Sequence, residues 1–471
     1  MPPYDLILRN GTLGTSTGTQ RADLAISRGK IAEIGTNIAK NGPELDVTGM
    51  LVLPGGVDSH CHIEQLSGAG LMNADTFETA TRSAAYGGTT TTISFAAQHP
   101  GMRLRDTVSN YAKLAEKGAI IDHAFHAIVA DTSGENLTHD LPALFAQGHR
   151  SIKIFTTYDK VRLDDEAILD TLCAAHDHGA LVCFHAENDG LIRWATKRLL
   201  AAGKTAPKYH PASHPRLAEE EAISRMCYLS QAADQPIMIF HVSTVEGLKV
   251  LAQARARGVQ VVAETCPHYL LQGPELLNQP GNAGAAFMCS PPQRDPADRT
   301  ALWAALSNGD LQAVTSDHAP YRMDATGKFA HGSDAPFNRI ANGMPGLEVR
   351  LPLMFDAMIR QRGLPVADFV RLTATNPAHI FGLAGKGDIA VGMDADIAVW
   401  DPAHTHTFAQ NDLHDNCGYN PFAGHTVTGW PVTVLSRGEI VVDNGKILGQ
   451  PGRGRRIPMQ ISDAMRPEKR D

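Results

Sequence analysis

Eight short apolar runs rich in β-branched residues, separated by helix-like segments, constrain this chain more than any other feature. They lie at 51–58 (LVLPGGVD), 90–96 (TTTISFA), 124–130 (AFHAIVA), 151–157 (SIKIFTT), 181–186 (LVCFHA), 237–243 (IMIFHVS), 259–264 (VQVVAE) and 311–316 (LQAVTS). Helical patterns intervene, clearest at 105–117, 165–178 and 244–257. Strand alternating with helix eight times is the pattern of an α/β protein built on a (β/α)8 TIM-type barrel, with a doubly wound sheet as the alternative on pattern alone. Both ends of the chain read differently. Short strand signals at 4–9, 23–27 and 31–34 return in kind at 395–400, 431–436 and 439–443, punctuated by Asn-Gly, Arg-Gly-Lys, Arg-Gly-Glu and Asn-Gly-Lys turns. The expected organisation is therefore a small β-sandwich domain from 1–53 plus 385–450, a catalytic barrel over 54–384, and a C-terminal tail over 451–471. That tail, rich in Arg, Gly and Pro, is expected to be disordered or to reach a neighbouring subunit.

The placement of polar residues favours the barrel. His60 and His62 follow the first run, Lys153 sits inside the fourth, and His185 ends the fifth. His241 falls late in the sixth run, and Asp317 follows the eighth. Barrel enzymes gather their chemistry on the rim where strands end, so these six converge only if the sheet closes. In His-x-His on a strand both imidazoles share a face, about 6–7 Å apart, and can grip one cation. Lys153 lies between Ile152 and Ile154, where burying an ammonium is costly. A neutral amine there can take up carbon dioxide as a carbamate, whose two oxygens suit a pair of metals about 3.5–4 Å apart. Each residue also has an ordinary explanation: loop histidines, a snorkelling lysine, core histidines, a helix-capping aspartate. Six such coincidences, one per rim position, favour the metal reading.

These segments resemble the amidohydrolase superfamily, and within it the cyclic amidohydrolase branch of dihydropyrimidinases and hydantoinases. The likeness is carried by GGVDSHCH (55–62), SIKIFTTY (151–158), HAEN (185–188), HVST (241–244), ETCPHYL (264–270), CSPPQR (289–294) and SDHAP (316–320), and it extends through TNPAHIFGL (375–383) and GHTVTGWPV (424–432). The resemblance implies that His60, His62 and Asp317 hold one divalent metal and His185 and His241 a second, with carbamylated Lys153 and a hydroxide bridging them. The metals would be Zn or Mn, two per subunit, since His, carboxylate and carbamate ligands suit both. It further implies that Tyr158 hydrogen-bonds the substrate carbonyl, that Ser290 and Asn342 hold the ring amide through backbone groups, and that Asp317 shuttles the proton. The implied reaction is hydrolysis of a cyclic amide in a homotetramer.

Which ring is opened depends on the segment after His62. Dihydroorotases carry an arginine there for a carboxylate, and residues 63–81 contain neither Arg nor Lys. Ile63-Glu64 fits dihydropyrimidinases, but Gln65-Leu66-Ser67-Gly68 departs from their Leu-Pro-aromatic continuation. A cyclic imide hydrolase or an allantoinase stays open as an alternative, as does a non-catalytic scaffold related to dihydropyrimidinase. A net charge of -8 argues against nucleic acid, whose phosphates demand Lys and Arg. No apolar run approaches the 18 or so residues of a membrane span. Seven scattered cysteines without a CxxC and an N-terminus unlike a signal peptide lead to the expectation of a cytoplasmic protein. His268 and His318 are expected to be structural, and Glu219-Glu220-Glu221 to be the solvated start of a helix.

Overall fold

The computed structural model describes residues 3–462. All eight apolar runs enter one parallel sheet: β1 (Gly56–Cys61), β2 (Thr89–Ala97), β3 (Asp122–Ile128), β4 (Ser151–Phe155), β5 (Leu181–His185), β6 (Ile237–Ile239), β7 (Val261–Thr265) and β8 (Ala313–Val314). Neighbours pair in sequence order. The segment after β8 returns to β1 through a Cys61–His318 bridge, with His62 N donating to His318 O at 2.6 Å, so the sheet closes. Behind the seam the Asp58 carboxylate accepts from Ser316 N at 3.2 Å, and the fully buried Arg350 guanidinium lies 3.3 Å from Asp58. Val57, Ile93, Phe95, Ala124, Cys183, Met238 and Phe240 fill the interior.

The expected helices form at Leu104–Gly118, Asp165–His178 and Val245–Ala256. Asp164 caps the second by accepting from Ala167 N at 2.9 Å, and Gly179 ends it in the left-handed region at φ 64°. Strand ends and helix starts are set together on the rim. His185 and His241 each lie three residues before an N-cap, Asn188 or Thr244, whose side chain accepts from the first helical turn at Leu191 N or Gly247 N.

The two ends of the chain build a separate nine-stranded mixed sheet with its own core of Leu8, Leu13, Leu24, Ile26, Val52, Ile397, Val399 and Leu435. Strand Leu51–Pro54 lies between Leu6–Thr15 and Ile397–Thr407, which ties the first part of the chain to the last. The run at 51–58 is thus two strands, divided at Gly55 where the chain leaves the sandwich for the barrel. A Cβ at Gly55 would stand 2.2 Å from Thr90 Oγ1, so no larger residue fits that crossing. Asn10-Gly11 is no hairpin turn: Asn10, at φ 63°, makes a bulge within one continuous strand.

Two expectations are corrected. Residues 451–462 do not hang free. They run along the base of the barrel, where Ile457 N donates to His123 O at 2.8 Å, Met459 N donates to Gly148 O at 2.8 Å, and Met459 packs against Phe381 and Leu383. The rest of the expected tail lies outside the described residues. Glu219 begins a helix, Arg216–Ala233, yet it is not solvated. It is buried, and accepts from Ser243 N at 2.9 Å and Thr244 N at 3.0 Å, pinning the loop after β6. No helix among the described residues is long and apolar enough to cross a membrane.

Candidate active site

Barrel closure brings all six rim residues around one cavity. His60 lies within β1 and His62 just beyond it; Asp317 follows β8. His60 Nε2 and His62 Nε2 stand 3.1 and 3.5 Å from Asp317 Oδ1, and one ligand atom from each of the three falls within 4.8 Å of the others. Across the cavity His241 Nε2 lies 2.9 Å from His185 Nδ1. The His60 and His241 rings are 5.4 Å apart, so the two groups adjoin.

Lys153 lines the same cavity. Its Nζ is buried without a hydrogen-bond partner, 4.1 Å from the centre of the Phe240 ring and 5.0 Å from that of Phe155. Burial holds its pKa down to about 7 from an ordinary 10.5, so the amine is substantially neutral near physiological pH. Burial also lowers His62, His185 and His241. Asp317 is opposed by burial, but the His60 charge and hydrogen bonds from His60 and His62 hold its carboxyl well below the usual range.

The backbone is strained at three of these positions. Tyr158, His241 and Asp317 adopt φ of 72°, 43° and 45°, a region that side-chain-bearing residues avoid at a cost of about 1–3 kcal/mol. Tyr158 stacks obliquely near His185 with ring centres 5.4 Å apart, and burial raises its pKa so that it stays a phenol. The Ser290 and Asn342 side chains approach that phenol. Ser290 Oγ donates to Glu187 at 2.9 Å, and Asn342 Oδ1 is buried without a partner. The cavity, about 270 Å³, has an apolar wall of Leu66, Phe155, Val161 and Ile340.

Sequence reasoning passed over the groups behind the histidines. His60 Nδ1 bonds the buried Glu264; His185 Nε2 bonds Glu187 at 2.8 Å; His62 Nδ1 bonds Gln65 at 2.7 Å. Each partner takes one ring nitrogen and leaves the other facing the cavity, the arrangement a metal-binding histidine needs. Glu187 also accepts from His214 Nδ1 at 2.8 Å. Glu264 carried a visible signal, a charge at the end of an apolar run. His318 is structural as expected: Nε2 bonds Asp75 at 2.9 Å while Nδ1 accepts from Gly346 N at 3.1 Å. The donor set of imidazoles and a carboxylate, with an unpartnered buried amine among them, fits a divalent cation site.

A closed barrel with this rim is a hydrolase architecture, and comparison with known proteins gives its family. Residues 51–441 match the model of the Amidohydrolase family. The D-hydantoinase of Ralstonia pickettii is 40% identical over 453 residues, covering 96% of this chain and 98% of its own. That of Rhizobium radiobacter is 39% identical over 452 residues, covering 96% and 98%. The crystal structure of dihydropyrimidinase from Brevibacillus agri superposes with a TM-score of 0.93 at 37% identity, covering 97% of this chain and 98% of that one. The chain belongs to the amidohydrolase family. It is an enzyme of that family's cyclic amidohydrolase branch, alongside hydantoinases and dihydropyrimidinases.

Proposed function

We propose that the chain opens a dihydropyrimidine or a D-configured 5-substituted hydantoin by hydrolysing the ring C–N bond to give the N-carbamoyl amino acid. The observation that carries this reading is Lys153 Nζ, buried without a partner, on a residue that lines the same cavity as His60, His62, Asp317, His185 and His241. In this reading the first three residues would hold one divalent metal and the last two a second. Lys153, carbamylated by carbon dioxide with loss of a proton, would be a ligand to both. The metals, Zn or Mn, would supply Lewis acidity and lower the pKa of the attacking water towards neutrality.

The remaining chemistry belongs to the chain. Asp317, kept ionised by its histidine neighbours, accepts the proton of the attacking water and returns it to the leaving ring nitrogen. Tyr158, kept protonated by burial, donates to the carbonyl oxygen as negative charge develops there. Backbone groups of Ser290 and Asn342 hold the ring amide, and the Leu66, Phe155, Val161 and Ile340 wall receives the substituent. The names of the near full-length relatives support this ring chemistry over the imide, allantoin and scaffold alternatives. The free, mostly buried thiols support a reducing cytoplasm, and family likeness supports a homotetramer.

The deciding experiment is a hydrolysis panel on metal-replete enzyme, run with a metal count per chain. Dihydrouracil, hydantoin, both enantiomers of 5-phenylhydantoin, allantoin, dihydroorotate and succinimide cover the options. Opening of dihydrouracil or the D-hydantoin at about two metals per chain is expected. Activity confined to succinimide or allantoin would keep the chemistry and overturn the substrate.

A further inference from the structure

We infer that Gln65 is a positioning residue that fixes the ring of His62 and ties the pocket-wall hairpin to the metal centre; the inference rests on the reading of His62 as a metal ligand. Three histidines of the site have their second ring nitrogen occupied, and the partners differ. His60 and His185 bond the buried carboxylates Glu264 and Glu187. His62 Nδ1 instead bonds Gln65 Oε1 at 2.7 Å. An amide oxygen only accepts, so Nδ1 donates to it, and Nε2, 3.5 Å from Asp317 Oδ1, is the ring nitrogen left for a metal.

Gln65 also opens a hairpin that is itself well tied. Gln65 N donates to Asn73 Oδ1 at 3.3 Å and Asn73 N returns a bond to Gln65 O at 3.0 Å. Leu66 bridges Met72, and Ser67 N donates to Leu71 O at 2.8 Å. Leu66, Ser67 and Gly68 of the same hairpin line the cavity. A substituent pressing on that wall therefore bears on a backbone one residue away from the group orienting His62. A neutral amide is a weaker acceptor than a carboxylate. Among these three rings, His62 is the one whose hold depends on a surface hairpin rather than on a barrel strand end.

The test measures metal retention during dialysis against a chelator, together with kcat and KM, for Gln65→Leu, Gln65→Glu and His62→Ala. Loss of an outer partner typically costs about 10- to 100-fold in metal affinity. Gln65→Leu should weaken retention of one metal by that factor and lower kcat, with KM nearly unchanged. Gln65→Glu, which restores an acceptor, should recover retention. If Gln65→Leu weakens binding and Gln65→Glu does not rescue it, hydrogen-bond acceptance is not the role and the inference falls. Wild-type retention in Gln65→Leu, with metal lost in His62→Ala, overturns the Gln65 role and leaves the ligand reading standing. Retention of both metals in His62→Ala overturns the ligand reading, and the inference with it. Should Gln65→Leu fail to fold, Gln65→Asn, one methylene short of His62, carries the same expectation, and normal retention in it is equally fatal.

Discussion

Two lysines buried at opposite ends of the same barrel have opposite surroundings. At the base, Lys386 Nζ lies 2.6 Å from Asp122, 2.7 Å from Asp396 and 2.9 Å from Asp394, and Arg437 adds a contact to Asp122 at 3.0 Å. Burial alone would neutralise this amine, but three carboxylates raise its pKa above the ordinary value. The cluster joins the start of β3 to the loops of the sandwich, so Lys386 is a clamp between two sheets. At the rim, Lys153 has three aromatic faces around it and no acceptor. The same chemical group is thus an ammonium where it holds the fold together and a near-neutral amine where the proposed reaction would use it. Neighbours, not burial, make the difference.

The largest effect that would break this contrast is on catalysis. Lys153→Ala should lose bound metal and activity together. The several kcal/mol that metal charge supplies to the transition state correspond to a fall of about 10³-fold or more. Near-normal turnover with both metals retained, measured by metal analysis and hydrolysis assay, would end the bridging reading. Lys386→Met should do the reverse. Leaving three carboxylates short of their buried partner costs about 3–5 kcal/mol, read as a lower denaturant midpoint, while kcat of the folded fraction holds.

A further effect concerns pH, in metal-free protein. Between about 7 and 10.5 the unfolded chain carries a proton on Lys153 that the folded chain does not. Stability contributed at that site therefore rises with pH across this window, and the cost of burying the amine is fully felt below about 7. Lys153→Met should flatten that slope and stabilise the metal-free protein near neutral pH. Denaturant titrations at several pH values check it, and an unchanged slope would mean that Lys153 is not held neutral.

Much of this was legible from residues alone because it rests on patterns that burial enforces. The eight strand positions follow from β-branched apolar runs, and Lys153 stood out because a charge has no cheap place inside one. His185 and His241 stood out as histidines at or near the ends of apolar runs. Gln65 escaped because a neutral amide in a loop has no periodicity to violate, and only the closed rim shows which ring it faces. Residues 451–462 misled because their composition reads as disordered, whereas backbone hydrogen bonds and the Arg453 and Arg456 side chains, bonding carbonyls of Ile120, Ser436 and Gln147, attach them, and composition encodes neither. Glu219 misled for a related reason. Three consecutive acids look solvated, yet helical geometry turns one of them inward to Ser243 and Thr244.

The pairing of strand Leu51–Pro54 with strand Ile397–Thr407 also sets a timetable for the chain on the ribosome. Roughly 340 residues separate the two strands, and at about 5–20 residues per second the first waits on the order of 20–70 s for its partner to be made. Throughout that interval an apolar strand edge, with backbone groups awaiting their ladder, stands open while the barrel is being synthesised. Such an edge is a template for pairing with other chains. Yield of native enzyme should therefore depend on how quickly translation delivers the last third of the message, or on what shields that edge until it does.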